Sequence, residues 1–490
     1  MIELNLIYYD IFKILCGICF GVDLLSYSPF LRKIFGQNYE KRIWLNSARV
    51  QNLIIVVWFI GSILLILNTL PILGFGALLL LYRIIYVDAR WNNLVRGAGA
   101  LGIVPYIVCF YGCFTELALI LEPTGIVAMW NINMFRIHIA LILICAAFYK
   151  FKAGYAVGEG FEYALVNPLW SWYSKIIKNR IKFNNVLNIL LGWILILGEG
   201  IIGLMLLNTN ISFIGASISI FGFFVILLFI NLVTLPLLMI AISILFLSES
   251  SNISLYVSMK HIFINDTITF WAKIASIPPT VFIFLKITLK IISYSNYYLG
   301  INFPSIIQRP TSLLCKYLPV IIWRVFSADV VNIYPRIKYI YNKKEINIYN
   351  ENQKFINNKN LPINVRYRFY HVLESVTLSS LFLSLRYGEN QKDRFVENLV
   401  RYCKNLSYEL NVTKGFFQFE LILLKKRQDG SIINKSNGII KVFLSDYNIK
   451  DERTTMQKTE FEELICNYIK PFKNFGEYIH TNKLKTKIFL

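Results

Sequence analysis

The chain has 490 residues, of which 56% are apolar and 16% charged, with a mean hydropathy of +0.52; this excludes an ordinary soluble globular protein. Fifty Lys and Arg against 29 Asp and Glu give a net charge of +21, unevenly placed: residues 1–300 carry 20 basic and 12 acidic side chains, residues 301–490 carry 30 and 17. With long uncharged apolar runs alongside it, that balance points to the headgroups of a lipid bilayer as the partner, and no aromatic-basic recognition motif accompanies the charge, so nucleic acid is not expected.

A helix crosses the bilayer core with about 20 mostly apolar residues. On that ruler, spans are predicted at Ile7–Leu25, which carries Asp10, Lys13 and Asp23, then at Leu53–Leu70, Leu73–Val87, Leu101–Leu121, Phe135–Phe151 and Val186–Leu207. Ile211–Leu247 has no charge and is too long for one crossing, so a reversal at Asn231 to Pro236 should divide it and bring the count to eight. Ile277–Tyr294 is a weaker ninth span or interfacial helix within 249–300, because it holds Pro278, Pro279, Lys286 and Lys290. The first span lacks a basic leader and a small-residue cleavage site and does not read as a cleaved signal peptide. The loops 29–51, 88–99 and 150–185 hold thirteen Lys and Arg, whereas the alternate loops 122–133, 208–211 and 248–275 hold only Lys260 and Lys273. Basic loops stay cytoplasmic, which puts the first set, and the basic tail if the ninth span crosses, on the cytoplasmic side.

Beyond residue 300 the composition turns polar. Residues 301–360 read as a basic linker, Asn/Lys-rich over Asn342–Asn360, and 361–490 as a small α+β domain. In that domain, helical patterns cover Pro362–Tyr387 and Lys392–Leu406, and strands cover Phe416–Lys426 and Ile439–Leu444, joined by a segment with Asp429-Gly430 and Asn437-Gly438. The fold class expected is an all-α polytopic membrane protein of 8–9 transmembrane helices with a small C-terminal α+β extramembrane domain. Cys16 and Cys19 have redox-motif spacing but lie in an apolar stretch where thiols pack as small hydrophobes, and four scattered histidines make no metal site.

Ionisable and amide groups at span ends are where chemistry can sit in such a chain. Two clusters meet that description: Asp88-Ala-Arg-Trp91-Asn92-Asn93, and Ala146–Lys150 running on through Tyr155, Gly158, Glu162 and Tyr163. By the span count both emerge on one face. Partial desolvation at the end of its helix would make Lys150 a general base; Asn92 and Asn93 can donate to an oxyanion, with Trp91 as a stacking wall. The plainer alternative is that Lys150 and Lys152 snorkel while Trp91 and Tyr155 join an interfacial belt. Glu199, alone on its helix, either bonds a neighbouring span or relays protons. Arg83 snorkels or pairs with Asp10 or Asp23, and His138 is expected to be a packed, hydrogen-bonded imidazole.

At these residues the chain resembles the horizontally transferred transmembrane (HTTM) family, which includes the vitamin K-dependent γ-carboxylases. Ala146–Tyr163 is similar without a gap to the family segment Ala-Gly-Val-Lys-Lys-Leu-Asp-Ala-Asp-Trp-Val-Glu-Gly-Tyr-Ser-Met-Glu-Tyr, with Lys150 on the second lysine, Tyr155 on the tryptophan, Gly158 on the glycine, and Glu162 and Tyr163 on the final Glu-Tyr. Trp91-Asn92-Asn93 resembles the start of the family's Trp-Asn-Asn-His motif. Departures are Leu94 for that histidine, Tyr149 for the first lysine, and Lys152 and Gly154 for aspartates. The resemblance covers residues 6–248. It implies a bacterial inner or plasma membrane protein in which Lys150 is the catalytic base and Trp91, Asn92, Asn93, Tyr155, Gly158, Glu162 and Tyr163 bind substrate or cofactor. The implied cofactor is a reduced quinone like vitamin K hydroquinone, without a metal, and the implied substrate is a peptide or lipid at the membrane face. A shared fold does not carry a shared reaction. The alternative is a non-enzymatic membrane component for export, maturation or immunity of a secreted peptide, like the sporulation-delaying-protein B group.

Overall fold

A computed structural model describes residues 6–28, 47–88, 99–152, 154–158, 160–247, 262, 268–318, 332–349, 399, 402–403 and 406–444. Helix α1 spans Leu6–Tyr27, α2 Ala48–Ile66 and α3 Pro71–Tyr82, the last prolonged by a π-helical turn over Arg83–Asp88. They are followed by α4 at Gly99–Leu121 and α5 at Ile126–Lys152. Two short helices, α6 (Phe161–Val166) and α7 (Ser174–Arg180), lead to α8 (Asn185–Leu207), α9 (Ser212–Phe229), α10 (Thr234–Leu245), α11 (Phe270–Leu299) and α12 (Ser305–Tyr317). Six of these, α2, α4, α5, α8, α9 and α11, are long and apolar enough to cross a membrane, while α3 and α10 are shorter apolar helices. This is the architecture of a multi-pass integral membrane protein. The expected reversal lies between α9 and α10, where Val233 precedes the first turn and Pro236 falls inside it, a tolerated place for a residue without N–H.

Two boundaries differ from the sequence reading. Residues 122–133 were expected as a loop, but α5 already begins at Ile126. The carboxylate of Glu122 caps it, accepting from the N–H groups of Ile126 at 2.9 Å and Val127 at 3.3 Å, which meets two otherwise unpaired donors of the first turn. The weak ninth segment is a continuous helix of 30 residues despite Pro278 and Pro279. Pro279 cannot donate to the carbonyl of Ala275; the side chain of Asn131 on α5 approaches that oxygen at 3.5 Å instead, and the Ser276 and Thr280 hydroxyls bond to nearby carbonyls.

Each charge of α1 has a partner, Lys13 and Asp23 at buried positions and Asp10 at a partly exposed one. Lys13 lies between Asp10 at 2.9 Å and Glu116 of α4 at 3.3 Å, and Asn68 also bonds to Asp10. Buried Asp23 accepts from the Tyr82 hydroxyl at 2.6 Å and the Thr234 hydroxyl at 3.0 Å. Apolar side chains stand exposed along α8 and α9, among them Leu190, Ile194, Leu204, Phe221 and Phe224, the outward surface that acyl chains cover. Cys16 and Cys19 are both buried free thiols.

Four antiparallel strands form one sheet in the order β2-β1-β3-β4: β1 Ile333–Tyr341, β2 Lys344–Tyr349, β3 Gly415–Lys426 and β4 Ile432–Leu444. The range 301–360, expected as linker, therefore contains α12 and the β1–β2 hairpin. Asn342 and Lys343, the residues that suggested a linker, are its two-residue turn, both at positive φ. Asp429-Gly430 turns β3 into β4, and the Ser431 hydroxyl and N–H hold the Asp429 carboxyl below the usual carboxylate range. Asn437-Gly438 is not a turn but an extra residue in β4 opposite Leu421, a β-bulge. The Tyr402 ring packs edge-on against Phe419 of the sheet. Most of Pro362–Tyr387 and Lys392–Leu406 lies outside the described residues.

The sheet rests on the segment between α5 and α8. Asn167 donates to the carbonyl of Ile333 and accepts from the N–H of Leu169; Phe183 N–H donates to Gly430; Lys178 and Lys426 reach Asn434 and Asn185 across the same boundary.

Candidate active site

The end of α5 meets α8 along a row of small residues. An added Cβ at Gly203 would stand 2.9 Å from the Ala140 carbonyl and 2.7 Å from Ile144, and one at Gly200 would stand 3.6 Å from Ala147. Absent side chains let the two backbones approach closely, the usual way for membrane helices to pack. One turn further along, Lys150 and Glu199 are brought face to face, and the Lys150 ammonium donates to Oε1 of Glu199. Lys150 is only 7% exposed. The lone carboxylate of α8 thus bonds a neighbouring span, and its partner is the lysine that the sequence singles out. The lysine does not snorkel.

Past Lys152 the chain reverses. Gly154 and Gly158 flank the 3-10 turn Tyr155–Val157 at φ 93° and 80°, a left-handed conformation that glycine adopts without strain. This turn seats on α8: an added Cβ on Gly192 would fall 1.9 Å from the Tyr155 carbonyl oxygen. The Tyr155 ring is buried with Ala147 and Ile196 in a small apolar cluster, separate from the main core, which Ala156, Phe161 and Leu195 border. Ile196 and Leu195 lie one turn before Glu199, so the ion pair has this cluster on one side. Glu162 is buried at the start of α6, and Tyr163, next to it, is partly buried against the main core. Lys150, Tyr155 and Gly158 are therefore gathered on α8, and Glu162 and Tyr163 follow within a few residues.

Trp91, Asn92 and Asn93 lie outside the described residues. The helices on either side of them, α3 with its π-helical turn and α4, have those ends toward the same end of the bundle as the α5–α8 segment: Tyr82 and Thr234 share Asp23, and Asn231 donates to the Trp170 carbonyl. Glu199 as partner of Lys150 is the contribution that spacing could not supply, since the two are 49 residues apart; the available signal was a single carboxylate between Gly198 and Gly200 in an otherwise apolar helix.

Compared with known proteins, the chain matches no protein-family model, no curated protein and no solved structure.

Proposed function

We propose that the chain crosses the membrane nine times, through α1, α2, α3, α4, α5, α8, α9, α10 and α11, with the Lys150 end of the bundle and the sheet on the cytoplasmic side. The partnering of Lys13 with Asp10 and Glu116 and of Asp23 with Tyr82 and Thr234 supports a crossing by α1, and the π-helical turn lengthens α3 to residues 71–88. Support for α11 comes from its two ends. Its start lies at the α4–α5 turn, where Thr269 reaches the Leu121 carbonyl, and its continuation leads to the sheet on the α5–α8 segment.

We further propose a membrane enzyme of the HTTM, γ-carboxylase-like group, acting at that face on a peptide, a lipid or both, with Lys150 as the base. The observation that carries this reading is the buried Lys150–Glu199 pair, near the start of the segment that resembles the family. Moving the shared proton from Nζ to Oε1 leaves a neutral amine and a protonated carboxyl. The amine is then a proton acceptor beside a small apolar cluster, in a site where water is scarce. A reduced quinone, when bound, would supply a phenolic proton and two electrons.

The test is 14C-bicarbonate incorporation and quinol oxidation by the full chain in proteoliposomes. Lys150→Ala should lower activity by roughly 100-fold or more and Glu199→Gln by less, with insertion unchanged. Undiminished activity in Lys150→Ala removes the lysine from the reaction. The second reading, a non-enzymatic membrane component for handling a secreted peptide, is favoured by the same pair seen as a clamp between α5 and α8. It predicts that the wild-type chain is inactive in both assays and that a peptide co-purifies with it.

A further inference from the structure

The stretch from Trp172 to Asn184 runs across the ends of two apolar helices. At one end the N–H of Trp172 donates to the carbonyl of Phe229, the last residue of α9, at 3.2 Å; at the other the Asn184 side chain accepts from the N–H of Val186 and caps α8. Both helices are long and apolar enough to cross a membrane, and the turns that border the stretch expose Val186, Leu187, Leu228 and Phe229. With α8 and α9 crossing, the stretch lies where hydrocarbon gives way to headgroups. Its composition suits that level. Lys175, Arg180 and Lys182 are exposed and interleaved with the exposed side chains of Tyr173, Ile176 and Ile181, and the stretch contains no Asp or Glu.

The tip of the sheet brings a further cation to the same place. The N–H of Phe183 donates to the Gly430 carbonyl at 3.0 Å and Lys426 reaches Asn185 at 2.8 Å, which holds the β3–β4 turn beside the start of α8. Arg427 in that turn is exposed, and both it and Lys182 are within electrostatic reach of Asp429. Oδ1 of Asp429 already accepts from the N–H and hydroxyl of Ser431. Among the described residues of this rim, Lys175, Arg180, Lys182 and Arg427 therefore stand with one carboxylate, next to side chains that acyl chains cover. Clustered cations at that level attract anionic headgroups.

We propose that this rim is a binding site for an anionic phospholipid of the surrounding leaflet. Phosphate oxygens of its headgroup accept from the guanidinium groups of Arg180 and Arg427 and from the Lys182 ammonium, and its acyl chains lie along the exposed side chains of α8, Val186 and Leu190 among them. A headgroup held between α7 and the β3–β4 turn also fastens the sheet to the bilayer surface. The excess of positive charge favours this occupant over a zwitterionic lipid, and the adjoining apolar turns favour it over a soluble phosphate. The site uses neither Lys150 nor Glu199 and stands or falls separately from the reaction proposed for them.

The experiment is native mass spectrometry of the full chain released from detergent micelles, titrated with palmitoyl-oleoyl phosphatidylglycerol or with phosphatidylcholine carrying the same acyl chains. Wild type is compared with a rim variant combining Arg180→Gln, Lys182→Gln and Arg427→Gln. A control variant combining Lys343→Gln, Lys344→Gln and Lys441→Gln removes equal charge toward the other end of the sheet. Wild type should bind phosphatidylglycerol roughly 10-fold or more tighter than phosphatidylcholine. The rim variant should lose about fivefold in phosphatidylglycerol affinity for each charge removed, with phosphatidylcholine binding unchanged, and the control variant should behave as wild type. Should the rim variant not fold, Arg180→Gln alone carries the comparison. An excess of sn-glycerol 3-phosphate should not displace the lipid. Equal wild-type affinity for the two lipids, wild-type phosphatidylglycerol binding in the rim variant, an equal loss in the control variant, or displacement by glycerol phosphate overturns the proposal.

Discussion

Lys150 of α5 and Glu199 of α8 form an ion pair across a helix interface, with side chains only 8% and 19% exposed. Removing one member of a buried pair leaves the other charge uncompensated, which typically costs about 3–5 kcal/mol, whereas replacing both by apolar residues can be close to neutral. Lys150→Met and Glu199→Met should each lower the thermal unfolding midpoint in detergent, and the double variant should recover most of the loss. Purely additive losses would show that the two side chains are not coupled.

Gly192 and Gly198 are both on α8 but meet different surroundings. A methyl group on Gly192 collides with the Tyr155 carbonyl, a backbone atom that cannot step aside alone, while one on Gly198 meets nothing within 4 Å. Gly192→Ala should destabilise by about 1–3 kcal/mol through overpacking and displace the turn that carries Tyr155. Gly198→Ala should be neutral or stabilising by up to about 1 kcal/mol, as expected for a helix interior. Thermal unfolding of the two variants side by side checks this, and equal effects would contradict the packing described.

The apolar helices were legible because their signal is local: an uncharged run between Ile211 and Leu247 must reverse, and a reversal needs the polar Asn231 and the proline that follows. The strand Gly415–Lys426 and the Ile439–Leu444 part of β4 were legible for the same reason, being β-rich runs, while the first half of β4 was not, because Asn437-Gly438 has the composition of a turn and forms a bulge instead. What was hidden depends on neighbours distant in sequence. Pro278 and Pro279 argue against a long helix until Asn131 of α5 is seen beside the carbonyl that Pro279 leaves without a donor. Asn342 and Lys343 look like linker until Ile333–Tyr341 is seen to pair with β3, whose residues lie some eighty positions away. Of the candidate site, the Lys150 segment stood out in the sequence as charge at the end of an apolar run, but Glu199 could not be matched to it by any spacing rule.

Asp23 ties three helices together. Its two oxygens accept from Tyr82 of α3 and Thr234 of α10, and all three residues sit where α1, α3 and α10 converge. Leaving a buried acceptor unsatisfied costs about 1–3 kcal/mol, so Tyr82→Phe and Thr234→Val should each lower stability by that amount. The double variant should lose less than the sum once Asp23 is freed to reorient. The midpoint of thermal unfolding reports this, and an unchanged midpoint in Tyr82→Phe would mean that the hydrogen bond contributes nothing.

Leu121 and Ile333 mark opposite ends of the bundle. The Leu121 carbonyl accepts from Thr269 at the start of α11, and the Ile333 carbonyl accepts from Asn167 in the segment after α5. Since α5 runs from the first end to the second, the proposed nine-span topology has α11 traverse the same thickness. Thr124 lies exposed in the α4–α5 turn and Ser431 is partly exposed in the β3–β4 turn. The described native cysteines are buried or partly so. A membrane-impermeant maleimide should therefore label Thr124→Cys from one side of sealed vesicles and Ser431→Cys from the other, with the basic-loop count placing Ser431 on the cytoplasmic side. Labelling of both from the same side would mean that α11 does not cross, and the crossings would number eight.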